Sequence, residues 1–429
     1  MLYLMRSHTI ERWQRRLTIP AVLVASSLLL SWWAYPGGLS PWRNIGIVSG
    51  WIGTGMLAVA TILIVREPHL TRVLGGLEHC YKWHHRAGIL AYLALLIHPL
   101  ALAMDSWTES PRLAWKSLAP WRQAWPVWLG WCALIVLMIG LTSTFAAQLP
   151  YRRWRGFHIL LGFGVLLSFA HVGILLGELA PSLGIVVLGM FALAWRFLAS
   201  DLGLAASPYR VTAVTHPAPG MIEVTVSPCA AALAVEPGQF LLAAFGDGNQ
   251  FHGCGEYHPF TVSRIESGRR LRLTVKALGR CSKHLQELEA GVLIHVQGPF
   301  GSFLSDITEG PELWIAGGIG ITPFMAALRA QPRKERTTLI YLYRTASDAA
   351  FLDELLGLAA TDPKFELVTH ATGDDSPNAA PLLAKVARLC ERRVYLCGPP
   401  AMVDTLAHRL AELGVPPQSI HYERFDFRR

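Results

Sequence analysis

The first half of this 429-residue chain consists of long apolar stretches separated by short polar segments. Six stretches contain no Asp, Glu, Lys or Arg, and each is about as long as a helix that crosses a bilayer. The pattern therefore predicts an all-α membrane domain over residues 1–200, a bundle of six transmembrane helices. The first stretch is too long, and too poorly ended, for a cleaved signal peptide. The six stretches are residues 17–42, 44–65, 87–104, 123–151, 156–177 and 179–195.

The hydrophobic pattern changes after Arg196 to that of a soluble protein. Over residues 207–308, short β-branched runs alternate with Gly and Pro turns, which predicts a small antiparallel β-barrel. Over residues 309–429, strand-like and helix-like runs alternate, which predicts an α/β domain with an open, largely parallel sheet. Ligands of such sheets bind beyond the carboxyl ends of the strands.

Basic residues flank the apolar stretches on one side and give the predicted orientation. They precede the first stretch and lie between the second and third and between the fourth and fifth, which places those segments in the cytoplasm. We therefore expect a multi-pass protein of a bacterial-type inner (plasma) membrane with both termini cytoplasmic. Because the basic residues lie beside membrane spans, the net charge of +8 indicates a lipid bilayer as partner and not nucleic acid. These residues are Arg6, Arg12, Arg15, Arg16, Arg66, Arg72, Lys82, Arg86, Arg152, Arg153 and Arg155.

Four histidines fall at matching depths at the third and fifth stretches. His84 and His98 are 14 residues apart, roughly 21 Å along a helix and about 40° short of whole turns, so both can face one neighbour. His158 and His171 are 13 residues apart, which puts them about 140° out of phase on an ideal helix. Tilt, or a distortion near the glycines that follow His158, would relieve the mismatch.

Histidine in hydrocarbon is rare unless it binds something, so four at paired depths predict metal ligands, as in two stacked haem sites. His84 and His158 form the inner pair, and His98 and His171 form the outer pair. His85 is the rival inner ligand, because it also lies 13 residues from His98. We prefer His84, because it precedes a glycine by four residues, as His158 does.

Four motifs occur in the soluble half: residues 258–261 (HPFT), 298–301 (GPFG), 317–324 (GGIGITPF) and 397–402 (CGPPAM). Together they resemble the ferredoxin-reductase-type flavin and nicotinamide module. Joined to a six-span bis-histidine domain, the chain resembles the ferric reductase and NADPH oxidase superfamily from about Leu17 to Phe425. The resemblance implies a six-helix membrane bundle followed by a ferredoxin-reductase-like module, with an FAD-binding barrel and an NAD(P)-binding α/β domain.

The resemblance assigns the flavin site to the barrel. Phe260 stacks on the isoalloxazine ring and Thr261 contacts the ring edge. Residues 278–282 match the second flavin segment, although Cys281 stands where the family often has an aromatic residue. The further flavin contacts that the resemblance implies are His258, Pro259, Lys276, Gly279, Ser282, Gly298 and Gly301.

The resemblance assigns the nicotinamide nucleotide to the α/β domain. Gly317, Gly318 and Gly320 follow a strand and precede a helix that starts at Thr322 and Pro323, where backbone amides can hold phosphate. Cys397, with Gly398 and Pro399, lies near the nicotinamide. Arg344 is placed to pair with a 2′-phosphate, which favours NADPH over NADH. In the terminal segment, Phe425 covers the flavin and Glu423 positions that tail.

The implied enzyme is an NAD(P)H-dependent transmembrane oxidoreductase. Its expected cofactors are FAD, two b-type haems and NADPH, with NADH as the alternative donor. Phe260, Thr261, Cys397 and Phe425 are the expected catalytic residues. The expected acceptor is extracytoplasmic, either oxygen, giving superoxide, or a ferric or cupric complex. Two alternatives stay open: an electron conduit that feeds a membrane or periplasmic partner protein, and a haem-binding sensor.

Overall fold

The computed structural model describes residues 37–145, 149, 151–176, 180–304, 310–373, 380–384 and 386–423, together with isolated positions before residue 37. Most of the first predicted transmembrane stretch lies outside the described residues, and so does Phe425. The chain divides into two compact units. The first comprises residues 1–66, 73–75 and 79–202, and the second comprises residues 67–72, 76–78 and 203–429.

The regular secondary-structure elements described in the membrane unit are all helices. Five helices among the described residues are long and apolar enough to cross a bilayer. Helix α3 begins well before the apolar stretch that predicted it, because it continues through charged residues such as Lys82 and Arg86. The helices of the first half of the chain are α1 (Pro41–Leu63), α2 (Pro68–Val73, nearly all of it in the second unit), α3 (Leu77–Trp107), α4 (Pro111–Leu118), α5 (Trp125–Phe145), α6 (Tyr151–Leu176) and α7 (Ala180–Trp195), which continues into a π-helical turn (Arg196–Asp201).

Glycines on one helix face let α1 approach α3 closely. A β-carbon added at Gly46, Gly50 or Gly53 would lie 2.8 Å, 2.7 Å or 2.6 Å from side chains of α3. Small residues at this spacing are a usual means of packing helices in lipid, where no hydrophobic effect drives them together. The same two helices are joined near both ends, by Arg43 with Asp105 (3.8 Å) and by a hydrogen bond from Arg66 Nε to Tyr81 Oη (2.9 Å).

The second unit contains a closed six-stranded antiparallel barrel, as the sequence predicted. Its strand order is β1-β2-β5-β4-β3-β6. Alternate residues of the strands fill the interior, including Ile222, Leu241, Phe260 and Leu273. The strands are β1 (Ser207–Ala218), β2 (Met221–Pro228), β3 (Phe240–Phe245), β4 (His258–Ile265), β5 (Leu271–Lys276) and β6 (Leu293–Phe300), with the short helix α8 (Arg280–His284) after β5.

A five-stranded parallel sheet follows the barrel, again as predicted. Its strand order is β11-β10-β7-β8-β9, so the order reverses beside β7. One apolar cluster forms on each face of the sheet, around Trp314 on one side and Leu313 on the other. The elements are β7 (Glu312–Gly317), α9 (Thr322–Ala330), β8 (Thr337–Tyr343), α10 (Leu352–Thr361), β9 (Phe365–Ala371), α11 (Ala380–Leu383), β10 (Arg393–Cys397), α12 (Pro400–Glu412) and β11 (Ile420–Glu423).

A buried ion-pair network connects the barrel to the sheet. Arg329 of α9 donates to Glu223 of β2 (2.7 Å) and to Glu354 of α10 (2.6 Å). It also donates to the backbone oxygen of Ser263 in β4 and covers the ring of Phe351. The side chains of Arg329 and Glu223 are 5% and 4% exposed. Glu223 also pairs with Arg272 of β5 (3.2 Å), so this buried carboxylate lies between two arginines.

Candidate functional site

The carboxyl ends of β7 and β10 meet at the point where the strand order reverses. At such a point the connections leave in opposite directions and open a crevice for ligands. A β-carbon added at Gly320 would lie 2.2 Å from the carbonyl oxygen of Cys397, and one at Gly398 would lie 3.1 Å from the Gly317 backbone. The structure therefore brings these predicted nucleotide residues together, and only glycine allows the two turns to approach so closely.

The first turn of α9 opens on the same crevice. Pro323 lies at the start of the helix, where its missing N–H costs nothing. The Thr322 hydroxyl donates to the carbonyl oxygen of Ile319 (3.0 Å), so it holds the turn and leaves the helix start without a side-chain cap. Uncapped amides at a helix N-terminus suit an anionic group such as a phosphate.

Lys276 at the end of β5 brings a positive charge to the glycine turn. A β-carbon added at Gly318 would lie 3.6 Å from Lys276 Nζ. Lys276 also interacts electrostatically with Asp348, in the loop after β8. That loop carries Arg344, which is 65% exposed and pairs with Asp348 at 3.2 Å. The hydrogen bond from Thr345, together with Arg344, lowers the pKa of the Asp348 carboxyl.

Cys397 and Glu423 lie side by side on neighbouring parallel strands. Glu423 Oε1 approaches the end of β6, since a β-carbon at Gly301 would lie 2.9 Å from it. Glu423 Oε2 is buried without a hydrogen-bond partner. Burial raises the pKa of Glu423 to about 8, and burial beside Glu423 raises the pKa of the Cys397 thiol well above its ordinary value. The site thus holds a neutral thiol beside a carboxyl group that has an unused polar atom.

The HPFT motif forms the start of β4, with its side chains on two faces. Phe260 belongs to the barrel interior, where its ring packs edge-to-face on Phe245 at 5.8 Å. Thr261 lies on the other face and pairs in register with Phe240, whose ring would contact a β-carbon added at Gly301. Both side chains are buried, with Thr261 7% and Phe260 8% exposed.

The remaining predicted flavin contacts are divided between two places. Pro259 follows His258 in β4, and Gly298 precedes the end of β6 with a φ of +135° that favours glycine. In the second flavin segment, the Ser282 hydroxyl accepts from the amides of Leu278 (3.0 Å) and Gly279 (2.8 Å). These amides are therefore used to start α8, a local role that the sequence did not predict.

In the membrane unit, backbone carbonyls orient three of the four predicted haem ligands. His84 Nδ1 lies 2.9 Å from the oxygen of Ala60, and His98 Nδ1 lies 2.7 Å from that of Gly46. His171 Nδ1 lies 2.8 Å from the oxygen of Pro126 in α5. A carbonyl only accepts, so Nδ1 carries the proton and Nε2 carries the lone pair. Metal-ligating histidines are usually held in this way.

The inner pair of histidines is in direct proximity. The ring centroids of His84 and His158 are 5.9 Å apart. Two imidazoles bound to opposite sides of one metal at about 2 Å each have centroids on the order of 6 Å apart. Trp154 stacks on His158 at 4.9 Å, and His158 Nδ1 is buried without a hydrogen-bond partner. The adjacent His85 is exposed.

The outer pair lies where glycines make room for the rings. A β-carbon at Gly50 would lie 2.7 Å from His98 Nδ1, and one at Gly130 would lie 2.9 Å from His171 Nε2. His98 and His171 are within electrostatic range of one another. Helix α6 continues as α-helix from Tyr151 to Leu176, so no helix break accompanies the phase mismatch.

Sequence reasoning missed Gly50 and Gly130. Gly88 and Gly162, on which the preference for His84 was based, contact no histidine: the first has open space, and the second faces Leu193 at 3.9 Å. The available signal was the Gly46-xxx-Gly50 spacing, which is typical of close helix contacts.

Comparison with known proteins supports both halves. The ferric reductase like transmembrane component matches residues 49–169, and the oxidoreductase NAD-binding domain matches residues 314–408. A ferredoxin–NAD(P)(+) reductase component of naphthalene 1,2-dioxygenase/salicylate 5-hydroxylase systems from Ralstonia sp is 30% identical over 181 residues, 39% of this chain and 55% of that protein. A flavohemoprotein of Pseudomonas putida is 31% identical over 207 residues, 45% of this chain and 52% of that protein.

The chain thus spans about half the length of the curated relatives it matches. Among solved structures, the flavohem-like FAD/NAD-binding domain of a nitric oxide dioxygenase from Vibrio cholerae O1 biovar El Tor aligns with a TM-score of 0.45 and 22% identity, over 51% of this chain and 97% of that one. The family matches place a ferric reductase like transmembrane component ahead of an oxidoreductase NAD-binding domain in this chain, in the order that the sequence predicted.

Proposed function

We propose that this protein is a transmembrane oxidoreductase that moves electrons from cytoplasmic NAD(P)H, through FAD and two b-type haems, to an extracytoplasmic acceptor. The observation that carries the proposal is the orientation of His84, His98 and His171 by backbone carbonyls, with His158 beside His84. Four imidazoles arranged as two pairs have the donor chemistry of two bis-histidine haem sites. The predicted orientation, with the inner pair on the cytoplasmic side, is part of the proposal.

In the membrane unit, His84 with His158 would hold one haem, and His98 with His171 would hold the other. Bound haem supplies a one-electron couple, and two histidine ligands favour electron transfer over direct binding of oxygen at the metal. Ala60, Gly46 and Pro126 keep three rings in the tautomer that ligates through Nε2. Trp154 keeps the ring of His158 in place by stacking.

In the soluble unit, bound FAD supplies the change from two-electron to one-electron transfer. It is needed because nicotinamide donates two electrons together as a hydride and haem accepts one electron at a time. Thr261, Gly301 and Glu423 form the surface that would face the reactive ring. The unpartnered Glu423 Oε2 fits a polar ligand group, and the missing side chain at Gly301 lets Glu423 and Phe240 pack close to its backbone. Glu423, largely protonated near neutral pH because its pKa is about 8, can donate one hydrogen bond there.

The nucleotide would bind in the crevice beyond β7 and β10. The amides at the start of α9 and the ammonium group of Lys276 would hold its phosphates. Cys397 remains a neutral thiol there, so it would contact the nicotinamide without adding charge. We propose NADPH as the preferred donor through Arg344, although its present partner Asp348 would repel a 2′-phosphate.

The proposed acceptor is a small molecule, either oxygen, which would give superoxide, or a ferric or cupric complex. The segment around α4 exposes Arg112, Lys116 and Arg122 together with Glu109. Glu109, together with Asp105 in its pair with Arg43, interrupts these basic residues, so the charges here are mixed in sign, which favours oxygen over a charged chelate. An electron conduit to a partner protein is the alternative outcome of the acceptor test.

The haem assignment is tested by counting haem in purified histidine variants. The wild type is expected to contain about two haems per chain, and His98→Ala about one, because only the outer site loses a ligand. His84→Ala should lose the inner haem, and His85→Ala is the matched control that should keep both. Unchanged haem in His84→Ala, or loss in His85→Ala, would contradict the inner assignment.

The route is tested by NADPH oxidation with oxygen as sole acceptor and a dismutase-sensitive superoxide probe. Free flavin also reduces oxygen, so His98→Ala must be measured beside the wild type. Superoxide that persists undiminished in the variant would show that electrons leave from the flavin. Ferric chelates reduced far faster than oxygen would identify a metal reductase, and turnover with neither acceptor would require a protein partner.

A further inference from the structure

Two cysteines and a histidine converge at the edge of the barrel. The Sγ atoms of Cys254 and Cys281 and a ring nitrogen of His258 all lie within 4.8 Å of one another. Cys254 precedes β4, His258 begins β4, and Cys281 lies in α8. Each side chain is only partly buried, so the cluster can exchange a ligand with solvent. Cys254 has no role in the proposed electron route, and Cys281 lies within residues 278–282, which the resemblance assigns to the flavin.

A carboxylate lies beside this cluster of three side chains. Glu256 Oε2 lies 3.8 Å from His258 Nε2, and the Glu256 charge also acts on Cys281. His258 Nε2 is buried and has no hydrogen-bond partner, which is costly for a nitrogen that can donate or accept. Gly255, with a φ of +61°, turns the chain between the cysteine and the glutamate. The segment thus presents Cys, Glu and His at alternate positions toward a second cysteine.

This donor set has a defined metal preference. Two thiolates, one imidazole and one carboxylate are the ligands that zinc takes in four-coordinate sites, with about 2.3 Å to sulfur and 2.0–2.2 Å to nitrogen or oxygen. Thiols and imidazoles bind a cation only in their deprotonated forms, so binding here would release protons from the two cysteines.

We propose that Cys254, Glu256, His258 and Cys281 bind one zinc-class divalent cation, which ties the segment before β4 to α8. On binding, the cation replaces the protons of both thiols, and no oxidant or reductant is required. The site is separate in chemistry from the haem histidines, and it does not depend on the proposed electron route. It gives His258 a role other than the flavin contact that the family resemblance implies.

The test uses the full-length protein and Zn²⁺ as the probe. After incubation with Zn²⁺ and gel filtration, the wild type should retain about one zinc per chain, and X-ray absorption should show about two sulfur neighbours at 2.3 Å. Cys254→Ser and Cys281→Ser should each reduce retained zinc by about tenfold or more. Cys229→Ser and Cys390→Ser, which change exposed cysteines elsewhere in the same unit, are the matched controls.

Haem and flavin content, measured in the same samples, show whether each variant is folded. The proposal would be overturned if the wild type retained no zinc, or if X-ray absorption showed no sulfur among the zinc ligands. Both results come from the wild type, so they hold even if a variant fails to fold. Zinc retained in both serine variants would do the same. A Cys254–Cys281 disulfide in zinc-free protein purified without reductant would instead identify the pair as redox-active and would also overturn it.

Discussion

The two units of the molecule use glycine for close approach, but the neighbouring groups differ. In the membrane unit, Gly50 and Gly130 make room for the imidazole rings of His98 and His171. In the soluble unit, Gly320 makes room for the backbone of Cys397. A ring can rotate away from an added methyl group, whereas two fixed turns cannot separate without moving their strands. The nucleotide crevice should therefore tolerate substitution less well than the histidine sites.

The largest expected effect concerns the ion pair that joins barrel and sheet. Arg329→Ala should lower the free energy of unfolding of the soluble unit by about 3 kcal/mol, because Glu223 and Glu354 each lose a charge-assisted hydrogen bond while Glu223 keeps Arg272 as a partner (3.2 Å). Arg270→Ala is the control, since Arg270 forms an exposed pair with Glu266 and should cost about 1 kcal/mol or less. Denaturant unfolding followed by flavin release measures both. Equal losses of unfolding free energy in the two variants would show that the buried ion pair stabilises the unit no more than an ordinary surface pair does.

The expected difference between the two units in tolerance of glycine substitution is tested most directly at Gly320. Gly320→Ala places a methyl group 2.2 Å from a carbonyl oxygen, so the turns must separate and NAD(P)H binding should weaken by about 100-fold or more. Gly357→Ala, in α10 with open space around it, is the control and should leave binding unchanged. The KM for NADPH measures both variants. A normal KM in Gly320→Ala would break the proposed contrast between the two units.

The corresponding change in the membrane unit is Gly50→Ala. Its methyl group would displace the ring of His98 from the Gly46 carbonyl, at a cost of about 1–3 kcal/mol. We expect partial loss of the outer haem and retention of the inner one, measured by haem content per chain. Gly88→Ala, in α3 itself with nothing near its β-carbon, should keep both haems. If Gly50→Ala removes the inner haem instead, the assignment of the pairs is wrong.

Glu423 should make stability depend on pH. Its pKa is about 8 in the folded protein against an ordinary 4.5, so the folded state holds a proton that the unfolded state has lost between these values. Stability should therefore fall as the pH rises from 4.5 to 8. Glu423→Gln should remove this dependence. The difference in free energy of unfolding between the variant and the wild type should therefore shift in favour of the variant by roughly 1–2 kcal/mol when the pH is raised from 6 to 8. Thermal unfolding at both pH values measures the difference, and parallel curves would contradict the buried-acid assignment.

The smallest effect is expected at the exposed loop after β8. Arg344→Ala should raise the ratio of the KM for NADPH to the KM for NADH by about tenfold. This factor corresponds to the free energy of one charge-assisted hydrogen bond to a phosphate. Asp348→Asn should act in the opposite direction, because it removes the carboxylate that pairs with Arg344. Equal changes for both nucleotides in both variants would leave Arg344 as a surface residue.

The sequence by itself determined the order and type of the domains. Long uncharged stretches predicted membrane helices because lipid accepts little else, and the alternation of short runs predicted the barrel and the parallel sheet. The depths of His84, His98, His158 and His171 also follow from sequence, since helix rise is constant. These features depend on the spacing of residues that are near each other along the chain, and the sequence alone contains that information.

Only the tertiary structure decided which partners those residues meet. The Ala60, Gly46 and Pro126 carbonyls that orient the histidines belong to other helices. A helix face can be deduced from spacing, but the rotation of its neighbour cannot. Phe260 packs in the barrel core, and its stacking on the flavin stays a prediction. The convergence of Cys254, His258 and Cys281 likewise depends on barrel closure, which brings together segments that no local pattern connects.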